Sequence, residues 1–396
     1  MLYFSASYIF PISGPPVKNG VLVIDESGKI IDLLDPLITE IPASMPIKHF
    51  EGILCPGFIN AHCHLELSHL RGMFSMKKGL PFFIGEMVEK RDAAVEFIEK
   101  SMHDADKEMY EGGIVAVGDI SNNTHSIAIK KKSPIYYHNF IELFDIVPEK
   151  AEAVYEKGLL TEMEFQMNGL VTSLVPHAPY TVSDNLLRII SAKAVEENKI
   201  VCIHNQETFS ENEMFERGTG DLLGKMNRLT KSFGTFQSLK KTSLARVLEI
   251  LSPELTLQLV HNTYSRRSDV QAAKKNKFNR LYWCLCVNAN LFIENALPDL
   301  EMLLDEDCRL TIGTDSYASN TTLSMLDELK TISKNFPAIG LDEILEWSTL
   351  NGAFLLNIDK KFGSFEKGKT PGVNFIKNQD TKNMRLSLTA EVQRLI

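Results

Sequence analysis

Eight short apolar runs, each followed by a longer stretch of different character, constrain this chain most. The runs are FINAH (58–62), IVAVGD (114–119), IYYHNFIE (135–142), VTSLVPH (171–177), IVCIH (200–204), LTLQLVH (255–261), YWCLCV (282–287) and RLTIGTD (309–315). They are short and rich in β-branched or aromatic residues, the pattern of buried strands. Between them lie charged stretches such as GEMVEKRDAAVEFIEKSMHDADKEMYEGG, whose composition suits helices. Strands alternating with helices define an α/β fold around a parallel sheet. Eight such units predict a distorted (β/α)8 TIM barrel, whose reactive residues sit at the C-terminal ends of its strands. The interval 205–254 is too long for a plain connection and predicts extra helices over the barrel mouth.

Both chain ends read differently. VLVIDESGKIIDLL (21–34) holds two apolar runs around Ser27 and Gly28, a hairpin pattern. From Gly363 onward come short apolar stretches with turn glycines, and MRLSLTAEVQRLI roughly alternates apolar and polar residues. These features predict a small β-sandwich module built from residues 1–54 and 361–396, bracketing a barrel over residues 55–360. With 44% apolar and 23% charged residues, the chain has the means to bury a large core. Its formal charge of −9 argues against nucleic acid or an anionic membrane as a partner. There is no apolar run of the roughly 18 residues a membrane helix needs, and no Lys or Arg precedes Lys18, as a secretory leader would require. The six cysteines lie mostly inside apolar runs, which reads as the reduced thiols of a cytoplasmic protein.

Chemistry gathers at the ends of the runs. His62 with His64, then Asp119, His177, His204, His261 and Asp315 each end or adjoin one of them, and five of the ten histidines fall there. On a barrel these positions converge on one pocket. Residues i and i+2 of a strand face the same side, so His62 and His64 can aim two imidazoles at one divalent metal. His204 and Asp315 can add one nitrogen and one oxygen. Three histidines and a carboxylate leave room for a water, as catalytic sites do. A metal there lowers the pKa of that water from ~15.7 towards ~7. His49, His69, His103, His125 and His138 lack this context and read as surface or structural residues.

The motifs PGFINAHCHLELSHLRG, VPHAPYTVS, IHNQET, LVHNTYS and IGTDSYASN, in this order, resemble the successive signatures of the amidohydrolase superfamily. Within it they resemble the branch of aminopurine and aminonucleoside deaminases, which includes S-adenosylhomocysteine, methylthioadenosine and aminofutalosine deaminases. The resemblance runs from about residue 18 to the C-terminus. GSFEKGKTPGVNFI resembles the family's returning β segment, but Pro371 or Gly372 stands where an acidic residue is usual. WCLCVNANLFIENALP departs from the family's Cys-Pro-x-Ser-Asn at Val287 and Ala289, which weakens any transfer of substrate contacts there.

The resemblance implies roles. His62, His64, His204 and Asp315 would bind one divalent ion per chain, zinc in the first place and iron as the alternative. Binuclear relatives carry a modified lysine at the end of strand four, where this chain has His177, so one metal is implied. Asp315 would act as general base. Glu207, three residues after His204, would carry a proton to the ring nitrogen and also contact the substrate. His261 would stabilise the charge of the forming adduct. Glu66, Ser68 and His177 would face the substrate, with Arg71 and Asn290 as weaker candidates and Asp119 as a brace of the barrel mouth. The implied activity is hydrolytic removal of an exocyclic amine from a purine-type ring, an adenosine-derived nucleoside foremost, with release of ammonia. The alternative is attack by the same hydroxide on an amide or a chlorinated heterocycle. The implied partner is a small heterocyclic molecule; a homo-oligomer is compatible with the sequence.

Overall fold

The computed structural model describes residues 1–230, 236–380 and 384–396 of the chain. The N-terminal strands are β1 (Leu2–Ile9), β2 (Val17–Lys18), β3 (Val21–Ile24), β4 (Ile30–Leu34) and β5 (Lys48–Cys55). Then come β6 (Phe58–Cys63), β7 (Ile114–Ser121), β8 (Tyr136–Leu143), β9 (Val171–Pro176), β10 (Ile200–Asn205), β11 (Thr256–His261), β12 (Arg280–Leu285) and β13 (Arg309–Ile312). The last two are β14 (Asn374–Lys377) and β15 (Glu391–Arg394). Each of the eight apolar runs of the sequence is therefore a strand.

Those eight form two four-stranded parallel sheets, in the orders β6-β7-β8-β9 and β10-β11-β12-β13. The sheets touch at both edges. On one side the His204 N–H donates to the His177 carbonyl at 3.0 Å. On the other, the Thr314 and Asp315 N–H groups both donate to the His62 carbonyl at 3.1 Å, and Cys63 and Asp315 form an isolated parallel bridge. Gly313 makes this second approach feasible, because a Cβ there would sit 2.8 Å from the Cβ of His62. Two apolar layers follow from the strand alternation. Ile59, Ala61, Phe140, Val175, Cys202 and Val260 pack together in one cluster. Phe58, Val117, Ile141, Leu174, Val201 and Leu257 belong to another, with helical residues such as Leu186 and Leu329.

The two chain ends meet in one seven-stranded sheet, ordered β15-β14-β5-β1-β3-β4 with β2 on β1. β3 and β4 pair antiparallel, as the hairpin pattern predicts. Their turn needs Gly28 at φ +82°, and Asp25 Oδ1 accepts from the N–H groups of Ser27 and Lys29. The sheet carries its own apolar cluster, with Phe4, Leu22 and Leu54 from the N-terminal part and Phe365, Val373 and Phe375 from the C-terminal part. The hydrogen bonds define one sheet path here, and the layering of a sandwich is not among the described pairings. Pro371, where the family usually has an acid, offers its carbonyl to the Gly57 N–H at 3.0 Å.

Among the described residues the interval 205–254 holds three helices, Phe209–Arg217, Asp221–Leu229 and Ser243–Ile250. Residues 231–235 of that interval and 381–383 of the C-terminal segment lie outside the described residues. One expectation shifts: the run ending at Val287 stops as a strand at Leu285, and Val287 begins the helix Val287–Ile293. Glu328 Oε2 accepts from the Asn288 N–H at 3.0 Å, satisfying a donor in its first turn. Among the described residues no helix is long and apolar enough to cross a membrane.

Candidate active site

The ends of the parallel strands bring the sequence-predicted side chains together. His62 lies on β6 and His64 just beyond its end, and their Nε2 atoms lie 3.2 Å apart. His204, from β10, places its Nε2 3.4 Å from that of His64. Asp315 Oδ1 is 3.3 Å from His64 Nε2 and 3.6 Å from His62 Nε2. All four residues are buried. A tetrahedral ion with bonds of about 2.0–2.2 Å needs donor atoms about 3.3–3.6 Å apart. The four distances suit donors around one small divalent cation, with His62, His64 and His204 as one group able to hold it and His62, His261 and Asp315 as another.

Protonation supports the fit. His204 Nδ1 faces the His177 carbonyl at 2.8 Å, and a carbonyl only accepts. The ring proton therefore sits on Nδ1, and Nε2 turns a lone pair towards the other donors. Burial holds His64 below the ordinary histidine pKa and His204 well below it, which favours the neutral form a metal requires. Burial works to raise Asp315, yet the neighbouring His62, His64 and His261 hold its carboxyl well below the usual range. Ser319 Oγ donates to Asp315 Oδ2, leaving Oδ1 for the histidines.

The backbone is bent where these side chains are presented. Asp315 has φ +58°, His261 +74° and Gln206 +45°, left-handed values that non-glycine residues adopt at a cost. Asn290, a weaker candidate in the sequence, holds His261 in place: Oδ1 lies 2.9 Å from His261 Nδ1, and Nδ2 donates to the His261 carbonyl. That arrangement leaves His261 Nε2 facing Glu207 Oε1 at 3.8 Å. Glu207 is buried, and this burial, with the charge of Asp315 adding to it, pushes its pKa well above the usual carboxylate range. Glu211 steadies this loop by accepting from the N–H groups of Gln206 and Glu207.

A cavity of about 290 Å³ lies over the cluster, and His64, His177, His204, Glu207, His261 and Asp315 line its floor. The residues Leu80, Phe83, Ile84 and Met87 of the helix Leu80–Lys90 form an apolar wall, joined by Met226 and Leu229 from Asp221–Leu229. His177 bonds through Nδ1 to Thr181 Oγ1 at 2.7 Å.

Three expected residues lie elsewhere. Glu66 and Ser68 are buried but do not line the cavity. Ser68 Oγ donates to the Leu65 carbonyl inside the short helix Leu65–Leu70, and Glu66 Oε1 accepts from the Asn122 N–H at 3.0 Å. Backbone bonds thus engage Ser68 Oγ and Glu66 Oε1, while Glu66 Oε2 has no hydrogen-bond partner. Arg71 pairs with Glu108 and stacks on Tyr317, away from the cavity. Asp119 pairs with Lys130 Nζ at 2.5 Å and accepts from the Leu65 N–H, the brace expected of it. Sequence reasoning missed Glu142, Asn122 and the apolar wall. The signal for Glu142 was present, because it ends the run 135–142 as His177 ends the next. His49, His103 and His125 are exposed, while His69 and His138 are buried away from the cluster.

Residues 53–392 match the family model described as Amidohydrolase family, so the chain belongs to the amidohydrolase family. It is 26% identical over 358 residues to the adenosine deaminase of Helicobacter pylori, covering 88% of this chain and 84% of that protein. It is 27% identical to the 5'-deoxyadenosine deaminase of Methanococcus vannielii, over 80% of this chain and 72% of the relative. The fold is similar to that of Helicobacter pylori aminofutalosine deaminase in complex with methylthio-coformycin, with a TM-score of 0.85, 22% identity and 100% coverage of both chains. It is also similar to an adenosine deaminase from Xanthomonas campestris with bound zinc, with a TM-score of 0.67, 21% identity, and 96% and 86% coverage.

Proposed function

We propose that this chain is a metal-dependent hydrolytic deaminase that removes the exocyclic amine from an adenosine-derived nucleoside and releases ammonia. One observation carries the reading: His64, His204, Asp315 and a buried, raised-pKa Glu207 line one cavity, with His62 Nε2 3.2 Å from that of His64. The names of the relatives, adenosine and 5'-deoxyadenosine deaminase, support the purine ring as its target. We read the two parallel sheets as halves of one distorted (β/α)8 barrel over residues 55–360. The terminal sheet is then a small β-sandwich module of residues 1–54 and 361–396, supported by its separate apolar cluster.

His62, His64, His204 and Asp315 would hold one divalent ion, zinc in preference. Bound there, the ion supplies a hydroxide near neutral pH by lowering the pKa of water. The chain's own residues do the rest. Glu207, whose burial favours the protonated form, donates to the ring nitrogen beside the amino-bearing carbon. That protonation draws electrons from the carbon and opens it to attack. Asp315, kept ionised by its histidines, accepts a proton from the attacking water. His261 Nε2, aimed by Asn290, hydrogen-bonds the oxygen as the carbon becomes tetrahedral. Proton delivery to the amine completes the exchange: a C–O bond has formed, the C–N bond breaks, and ammonia leaves. His177 contacts the ring or its substituent from the cavity floor.

Incubating the zinc-loaded protein with adenosine, 5'-deoxyadenosine and 5'-methylthioadenosine tests the reading. Ammonia and a change in the purine ultraviolet spectrum are expected from at least one of them. Fast turnover of amides or chlorinated triazines with no aminopurine consumed rejects it.

A further inference from the structure

Glu142 ends β8 beside the site and has no part in the steps above. Its side chain is only 4% exposed, yet it lines the cavity together with Asn122 and His177. Its two oxygens have different fates. Oε2 accepts from Asn122 Nδ2 at 2.8 Å. Oε1 accepts no hydrogen bond. The nearby His204 Nδ1 lies 3.8 Å away and already donates to the His177 carbonyl. A buried carboxyl oxygen without a donor is costly, and native structures rarely leave one so without a ligand to fill the gap.

Position narrows what that ligand group is. Glu207 and Glu142 flank His204 on different sides. Glu207 lies towards His261 on β11, and Glu142 lies towards Asn122 just beyond β7. A purine whose amino-bearing carbon is at the metal cluster, with its ring nitrogen at Glu207, extends its far end away from both. On a nucleoside that end carries a sugar with vicinal hydroxyls. Hydroxyls are the donors a lone acceptor oxygen needs. The carboxyl is also fixed in position, since Glu66 Oε1 holds the backbone of Asn122, and Asn122 holds Glu142 Oε2.

We propose that Glu142 reads the substrate's sugar, its free Oε1 accepting hydrogen bonds from vicinal hydroxyls, with Asn122 and Glu66 as positioning residues behind it. The assignment rests on the deaminase reading, because that reading fixes which end of the molecule faces Glu142.

The test compares two ligands on the zinc-loaded, full-length protein by calorimetry. One is purine riboside, which has no amine to lose, and the other is its 2',3'-dideoxy counterpart. The wild type should bind purine riboside ~10–100-fold more tightly, the usual worth of a hydrogen bond to a charged group. Glu142→Gln keeps the shape but can present an N–H where the acceptor stood, and should reduce the ratio to less than about threefold. Asn122→Ala, which leaves the carboxyl unheld, should lower the ratio by a smaller factor and serves if Glu142→Gln does not fold. Equal affinities in the wild type, binding of neither ligand, or a full ratio in the variants overturns the assignment. So does a second metal ion present in the wild type and lost in Glu142→Gln. Ammonia release separates the two ideas. Deamination that ignores the sugar hydroxyls leaves the deaminase reading standing and removes this one, while a hydroxyl-dependent affinity without deamination does the reverse.

Discussion

Asp119 and Lys130 are as deeply buried as His62 and Asp315, but the two groups meet burial differently. Lys130 Nζ lies 2.5 Å from Asp119 Oδ2 and donates to Ser121 Oγ, while Asp119 Oδ1 accepts from the Leu65 N–H. The opposite charges close on each other, while Asp119 Oδ2 takes no hydrogen bond besides this ion pair. In the histidine cluster His64 Nε2 lies 3.2 and 3.4 Å from the Nε2 atoms of His62 and His204, Asp315 Oδ1 lies 3.3 and 3.6 Å from His64 and His62, and among the described residues no lysine or arginine pairs with them. A self-neutralised pair braces structure, whereas a set of converging acceptors is built around something added.

That contrast can be broken or sharpened by experiment. His64→Ala removes one donor of the open set, so bound metal should drop to near zero and kcat/KM should fall by at least ~10⁴-fold. Metal analysis with steady-state kinetics checks this, and retained metal with retained activity would erase the distinction. Lys130→Met opens the closed pair and strands the Asp119 carboxyl. Urea denaturation should show a loss of about 3–5 kcal/mol, largely recovered when Asp119→Asn is added; a change below about 1 kcal/mol would show the pair to be dispensable. Glu207→Gln leaves every donor of the open set in place. It should keep the metal and lose at least ~10²-fold in kcat, and wild-type turnover would remove Glu207 from the chemistry.

The smallest effect concerns a third way of meeting burial. His138 stays neutral, with Nε2 2.9 Å from Ser173 Oγ, and burial lowers its pKa from 6.5 to about 3. Between those values the unfolded chain binds the proton and the folded chain does not. Stability should therefore fall as pH drops from 6.5 towards 3, with His138 contributing up to ~1.4 kcal/mol per pH unit. In denaturation series across that range, His138→Gln should have a shallower slope than the wild type. Identical slopes would contradict the assignment.

The positions of the strands were readable because burial on both faces of a parallel strand leaves a short, nearly continuous apolar run. His62, His64, His177, His204, His261 and Asp315 stood out because each interrupts or ends such a run. The wall of Leu80, Phe83, Ile84 and Met87 gave no comparable signal. Apolar residues at helical spacing look alike whether they face a core or a cavity, and only the tertiary path of the helix decides. For Glu66, expected to face the substrate, the helix Leu65–Leu70 turns Oε1 to the Asn122 backbone and leaves Oε2 without a hydrogen bond, an outcome its nearness to His64 in sequence did not signal. Glu142 ends the run 135–142 and was as visible in the sequence as His177, but its unpartnered Oε1 and its place in the cavity lining needed three-dimensional information.

The edge where β13 approaches β6 has a consequence for how the protein comes into being. Asn60 and Thr314, 254 residues apart, share two hydrogen bonds there, next to the contact between the His62 carbonyl and the Asp315 N–H. At ordinary synthesis rates of about 5–20 residues per second, tens of seconds separate the two strands during translation. A nascent chain in that interval holds His62 and His64, and later His204, without Asp315. The proposed ion site is thus finished last, by the carboxylate that follows the strand joining its two edges.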